Sequence, residues 1–407
     1  MNESWRALEQ DLDARLRAAD DQGRRRRVRP IQRLPGARAR LEDGRELLDF
    51  SSNDYLGLSL HPQVMARAAD YAARFGAGSA ASRLVSGSSP QHHALEARLA
   101  AFKGAEAALL FASGWQANAS VLPALAALSS GPAVLFADRL VHASLHAGAA
   151  LAGLRQARFR HNDLDHLERL LAAPEHQGRL RLIVTESVFS MDGDQADLPG
   201  LLALADRHGA VLYVDEAHAT GVFGPRGAGL CAALPPGAPV IVMGTLGKAL
   251  GSFGAYVAGP RRLIDALVQA CGGFIYSTAP PPAVLGALDA ALDLVPAMDA
   301  ERANLLHHAA RVRAAAQARG LDTFGAASQI VPLGLGEDAR ALEAMASLER
   351  AGMLAVAIRP PTVPKGAARL RLTLSAAHSP EAVDRLIAAI GALEIGALET
   401  GSPETGA

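Results

Sequence analysis

Cysteine is scarce in this 407-residue chain, and long apolar runs and any marked excess of one charge are missing. Its two cysteines, Cys231 and Cys271, make neither a disulfide framework nor a metal-ligand spacing, so a reducing compartment fits best. Forty basic residues meet 41 acidic ones, for a formal net charge of -1, which leaves no electrostatic footprint for nucleic acid. No uninterrupted apolar run approaches the ~20 residues of a membrane span. Residues Met1 to Asp20 alternate charges and lack the apolar stretch of a signal peptide. The expected address is the cytoplasm, with neither nucleic acid nor membrane as a partner.

What is present is apolar bulk in a repeated order. Half of the residues are hydrophobic, enough at this length for two domains with sizeable cores. From Trp5 to Ala19, Leu8, Leu12 and Leu16 form one stripe of an amphipathic helix. It runs into Arg24-Arg25-Arg26-Arg27, read either as a solvated basic face or as an arm for a polyanionic or carboxylate ligand. A turn at Gly44 predicts a hairpin of residues 40–41 with 47–50. Helices are expected from 61 to 71 and from 91 to 102, followed by a strand at 108–111. The glycine-containing stretch 75–83 lacks the third glycine of a dinucleotide fingerprint.

Strand-then-helix units follow, with strands at 133–137, 181–186, 210–214 and 240–243 and helical patterns at 164–171 and 198–207. Such alternation predicts a mostly parallel sheet covered by helices, whose ligands bind at the carboxyl ends of the strands. Those ends carry Asp138 to His142, Glu186 to Ser190, Asp215 to His218, and Thr245 to Lys248. A further strand at 254–259 precedes one long alanine-rich helical region, 283–319. Strands at 329–333, 355–358 and 369–374 then alternate with helices 338–351 and 380–393 in a smaller α+β unit. The expected divisions are an N-terminal arm (1–50), a large domain (51–290), a small domain (291–395) and a flexible tail (396–407).

Lys248 closes an apolar strand among Gly244, Gly247, Ala249 and Gly251, small residues that leave room for a flat, bulky group. A lysine at a buried strand end is costly unless paired or chemically used. Asp215 closes the preceding strand. A lysine that forms an imine and a carboxylate that keeps a pyridine nitrogen protonated are the pair that pyridoxal phosphate requires. Thr245 offers a hydroxyl to the phosphate, and Gly114 and Trp115 offer amides at a helix start. The letters Asp215-Glu216-Ala217-His218 also suit a nucleotide hydrolase, but the Gly-x-x-x-x-Gly-Lys-Ser/Thr loop is missing.

Together, Thr245-Leu246-Gly247-Lys248, Asp215 to Gly221, Thr185 to Asp194, Ser51 to Gly57 and His161-Asn162-Asp163 resemble the α-oxoamine synthases. That resemblance covers roughly residues 5 to 394. It implies a fold-type-I pyridoxal-phosphate transferase, α/β, with a seven-stranded, mostly parallel sheet and a smaller α+β C-terminal domain. Segments 358–364 and 369–373 are most similar to the branch joining L-alanine to a pimeloyl thioester, carried on CoA or on acyl carrier protein, with loss of carbon dioxide. The alternatives are the branch using glycine and acetyl-CoA, or a catalytically silent homologue.

Carried over by position, the resemblance makes Lys248 the imine-forming residue and α-proton base, with Asp215 on the pyridine nitrogen. His142 stacks on the ring, while His218 and Ser190 surround its phenolic oxygen. Glu186 and Asn53 position ring and substrate. Arg359 takes the alanine carboxylate, Thr362 and Arg24 touch the thioester, and Ser277 and Thr278 reach a neighbouring subunit's cofactor phosphate, implying a homodimer. The sequence departs from the family at Ala80-Ala81 and at Ser88-Ser89, near the expected substrate entrance.

Overall fold

A computed structural model of the chain describes residues 2–394. The expected tail at 396–407 lies outside the described residues. At the centre is a seven-stranded sheet in the order Ala107–Phe111, Ala255–Gly259, Val240–Thr245, Val211–Asp215, Leu180–Glu186, Ala133–Asp138, Arg155–Phe159. Ala255–Gly259 runs antiparallel to both neighbours, and the other neighbouring pairs are parallel.

Strand alternation separates two cores. Tyr213, Met243 and Val184 meet helices Gly114–Leu128 and Arg261–Ala270 on one face. Leu212, Val214 and Ile183 meet Leu164–Ala172 and Leu198–His208 on the other. Each fully buried Leu, Val or Phe contributes roughly 1.5–3 kcal/mol of transfer free energy. Because both faces are covered, the chemistry at the strand ends stands on a rigid base.

The expected hairpin and the three C-terminal strands are present, in two small sheets. Ile31–Leu34, Arg38–Leu41 and Glu46–Asp49 form an antiparallel meander, and Met353–Leu354 adds to Glu46–Asp49 in parallel. The segment expected to be a separate N-terminal arm is therefore tied to the C-terminal part. Ile330–Gly336, Ala368–Thr373 and Val356–Ile358 make a three-stranded antiparallel sheet. The domain boundary near 291 remains a proposal, and one buried cluster joins Leu285 and Leu288 to Leu305, Leu333 and Leu370 across it. The long helical region expected at 283–319 is two helices, Pro282–Leu294 and Asp299–Ala318, because Pro296 cannot continue a helix. Arg155–Phe159 was not expected as a strand; it lies at the sheet edge, with Arg155 and Arg158 exposed and only Phe159 buried.

Candidate active site

Lys248 stands just past Val240–Thr245, half-buried, with Nζ 2.7 Å from His218 Nε2. Enclosure of the amine lowers its pKa to about 8, against the opposing pull of Asp215 and Glu186 and with help from Arg371. His218 is buried, and its own pKa is pushed well down, first by burial and then by the charge of Lys248. Its Nδ1 lies 2.6 Å from the hydroxyl of Tyr55.

Two acids flank the lysine from neighbouring strands. Asp215 is buried; its Oδ2 accepts from Asn118 Nδ2 at 2.8 Å and its Oδ1 from the Ala217 amide at 2.9 Å. Tyr213 donates to Asn118 Oδ1 at 2.8 Å, which orients that amide so that its nitrogen faces Asp215. Glu186 is also buried, and its Oε1 has no hydrogen-bond partner. Burial, then the charge of Asp215, raises its pKa well above the ordinary range.

Arg371, on Ala368–Thr373, completes the cluster. Its guanidinium donates to the Ser190 carbonyl at 2.6 Å and approaches Asn53 Oδ1 at 3.3 Å. Arg371 and Tyr55 lie within segments that carry the family resemblance but had no expected role, and Asn118 had none either. The signal for Arg371 was its place two residues after Arg369 on an otherwise apolar strand, where a buried arginine needs partners.

The expected site residues divide into two sets. Lys248, Asp215, Glu186, His218, Ser190 and Asn53 come together. His142 caps helix Ala143–Leu151 through Nδ1 and meets the Trp115 ring edge-to-face at 6.1 Å. Gly114 and Trp115 open helix Gly114–Leu128, where the Ser113 hydroxyl takes only the Gln116 amide. Among the described residues, the amides of Gly114 and Trp115 have no acceptor.

The others lie elsewhere or are committed. Arg359 donates to the Gly23 carbonyl at 2.5 Å, so it faces the N-terminal arm, not Lys248. Arg24 pairs with Asp338 at 3.1 Å, and Thr362 is exposed. The Thr245 hydroxyl donates to the Gly254 carbonyl at 3.0 Å, closing the turn. Ser277 accepts from Gln116 of its own chain at 2.5 Å, and Thr278 is exposed and bridges Ser82.

The small residues beside Lys248 also need correction. A Cβ on Gly244 would collide with the Tyr256 ring, and one on Gly251 would sit 2.5 Å from the Leu58 backbone. These glycines admit other parts of the protein rather than a ligand.

The profile of aminotransferase class I and II matches residues 45–390. The 8-amino-7-oxononanoate synthase of Gluconacetobacter diazotrophicus is 60% identical over 380 residues, 92% of this chain and 95% of that protein. Its counterpart in Anaeromyxobacter dehalogenans is 51% identical over 383 residues, 94% of this chain and 95% of that one. Among solved structures, S. paucimobilis serine palmitoyltransferase with a bound PLP–myriocin aldimine has a TM-score of 0.86 at 28% identity, covering 94% of this chain and 96% of that one. The 8-amino-7-oxononanoate synthase of Francisella tularensis has a TM-score of 0.72 at 27% identity, covering 84% and 96%. The architecture and the matches agree: the chain belongs to the aminotransferase class I and II family, and within it to the α-oxoamine synthases.

Proposed function

We propose that the protein binds pyridoxal phosphate and condenses L-alanine with a pimeloyl thioester, releasing carbon dioxide and the free thiol. The observation that carries this reading is the amine of Lys248, lowered to about 8 and set among His218, Asp215, Glu186 and Arg371. The named relatives at 51% and 60% identity support the choice of substrates.

The residues fit the cofactor. Lys248 would hold its aldehyde, Asp215 its ring nitrogen, and the acceptor-free amides of Gly114 and Trp115 its phosphate. The unpartnered, buried Glu186 Oε1 is a polar atom that a ligand can satisfy. When bound, pyridoxal phosphate supplies an electron sink for negative charge at an amino acid's α-carbon.

The chain's own groups do the rest. With its pKa near 8, Lys248 is partly neutral at physiological pH and can take a proton from the α-carbon of alanine. Arg371 presents a fork to the alanine carboxylate, a role reassigned from Arg359 because only Arg371 stands in the Lys248 cluster. Glu186, its carboxyl pushed well above the ordinary range by burial and then by the charge of Asp215, is the acid here that takes up a proton most readily. Arg359 has a buried Nε without a partner beside the arm that carries Arg24, and this suits the far carboxylate of a dicarboxylic acyl chain.

A homodimer is part of the proposal. Leu84, Val85, Trp115, Phe253 and Tyr276 are exposed apolar side chains on segments around the site, and a second copy would cover them. No helix among the described residues is long and apolar enough to cross a membrane, and we place the enzyme in the cytoplasm.

The test is product formation from L-alanine with pimeloyl-CoA or pimeloyl-acyl carrier protein, read by mass spectrometry. Lys248→Ala should lower turnover by about 10²–10⁴-fold or more. Faster turnover of glycine with acetyl-CoA would overturn the substrate choice.

A further inference from the structure

Tyr55 sits behind the site, fully buried, with its hydroxyl 2.6 Å from His218 Nδ1 and 3.0 Å from Asn53 Oδ1. His218 Nε2 is in turn 2.7 Å from Lys248 Nζ. These contacts form one chain, and its proton arrangement follows from its far end.

Both terminal nitrogens of Arg371 approach Asn53 Oδ1 at 3.3 Å. A guanidinium only donates, so the amide oxygen of Asn53 is the atom turned inward. That oxygen cannot donate, and the Tyr55 hydroxyl hydrogen therefore goes to it. The hydroxyl then has only lone pairs left for His218, whose Nδ1 must carry the ring proton. Burial and the charges of Lys248 and Arg371 keep the imidazole neutral, so Nε2 is bare where it faces Lys248.

We propose that Tyr55 is a positioning residue that fixes His218 as the Nδ1-protonated tautomer, so that Lys248 is held by a lone pair and not by an N–H. A lone pair accepts from either an ammonium or an amine, whereas an N–H at that place would tolerate only the neutral amine. Tyr55 thus supports the protonated form of Lys248 alongside Asp215 and Glu186, against burial and Arg371. The groups that face His218 are Tyr55, Lys248, Arg371 and His142. The inference rests on Lys248 being the reactive amine of the proposed site.

Tyr55→Phe keeps the ring and removes only the hydroxyl. His218 Nδ1–H then lacks its acceptor, the other tautomer becomes accessible, and Lys248 should lose its proton more easily. The measurement is pulsed acetylation of the full-length, cofactor-free chain between about pH 6 and 10, with the Lys248 peptide quantified by mass spectrometry. The chain has three lysines, Lys103, Lys248 and Lys365, and exposed Lys365 serves as the internal reference. In Tyr55→Phe the Lys248 midpoint should fall by about one unit, a tenfold change in proton affinity. A midpoint that stays in place or rises overturns the proposal.

A second measurement needs no Tyr55 variant. In the wild-type cofactor-free chain with ¹⁵N-labelled histidine, the His218 signals, identified by their loss in His218→Gln, should report a protonated Nδ1 and a bare Nε2. The reverse tautomer overturns the proposal even if Tyr55→Phe fails to fold. Neither readout uses amino acid or thioester, so failure of the proposed reaction and failure of this inference are separable.

Discussion

Glu186 and Asp215 are register partners at the carboxyl ends of adjacent parallel strands, yet both oxygens of Asp215 accept hydrogen bonds while Oε1 of Glu186 has no partner. Burial and then the charge of its partner push Glu186 up, so the pair divides into an acid with satisfied oxygens and one that binds its proton more tightly.

That division has a pH signature. Between the usual carboxyl range and its raised value, Glu186 keeps a proton in the folded chain that the unfolded chain releases. Stability from this group therefore falls as pH rises through that window. Glu186→Gln removes the dependence. The gain in thermal midpoint of the variant over wild type should grow from about pH 5 to pH 8; a constant difference would show that Glu186 is ionised in the fold.

The two arginines should separate in kinetics. Arg371→Ala is expected to raise KM for L-alanine by about 10–100-fold, the worth of a lost charge-assisted hydrogen bond. KM for the thioester should change little. Arg359→Ala should do the reverse. Steady-state rates with each substrate varied in turn decide it, and an exchange of the two effects would return the alanine carboxylate to Arg359.

His161 has Nδ1 3.0 Å from Asp138 and Nε2 2.8 Å from Asp194, so both nitrogens must donate and the ring is an imidazolium. The two carboxylates overcome burial and raise its pKa to about 10. Its stabilisation is complete below the ordinary histidine value and is lost as pH rises through about 10. His161→Gln should cost about 3 kcal/mol in urea denaturation at neutral pH. The gap should close at higher pH; a gap that persists there would mean the neutral ring does the holding.

Lys103 and Glu216 form an ion pair with both side chains enclosed, and Glu216 Oε1 also accepts from the Cys231 amide at 2.8 Å. Lys103→Met strands a buried carboxylate and should destabilise by about 3–5 kcal/mol. Adding Glu216→Gln should restore more than half of that in chemical denaturation. A double variant no better than Lys103→Met would show that lost lysine packing, not stranded charge, sets the cost.

Much of the fold was legible because it is written locally. Strands such as Val240–Thr245 and Val211–Asp215 are continuous β-branched and apolar runs, as expected for strands buried on both faces. Arg155–Phe159 escaped notice because an edge strand with two arginines lacks that run. The break at Pro296 was missed because alanine-rich helical sequence continues on both sides of it.

The sequence by itself determined which chemistry the strand ends could carry. Asp215 and Glu186 end strands, His218 and Lys248 follow strands by three residues, and parallel strands bring such ends together. Only the tertiary structure decided which distant residues stand beside them: Arg371 against Ser190 and Asn53, Asn118 turned by Tyr213, and Tyr55 set against His218 across 163 residues of chain. Spacing along the chain cannot encode these choices, because the packing of separate elements sets the hydrogen-bond distances.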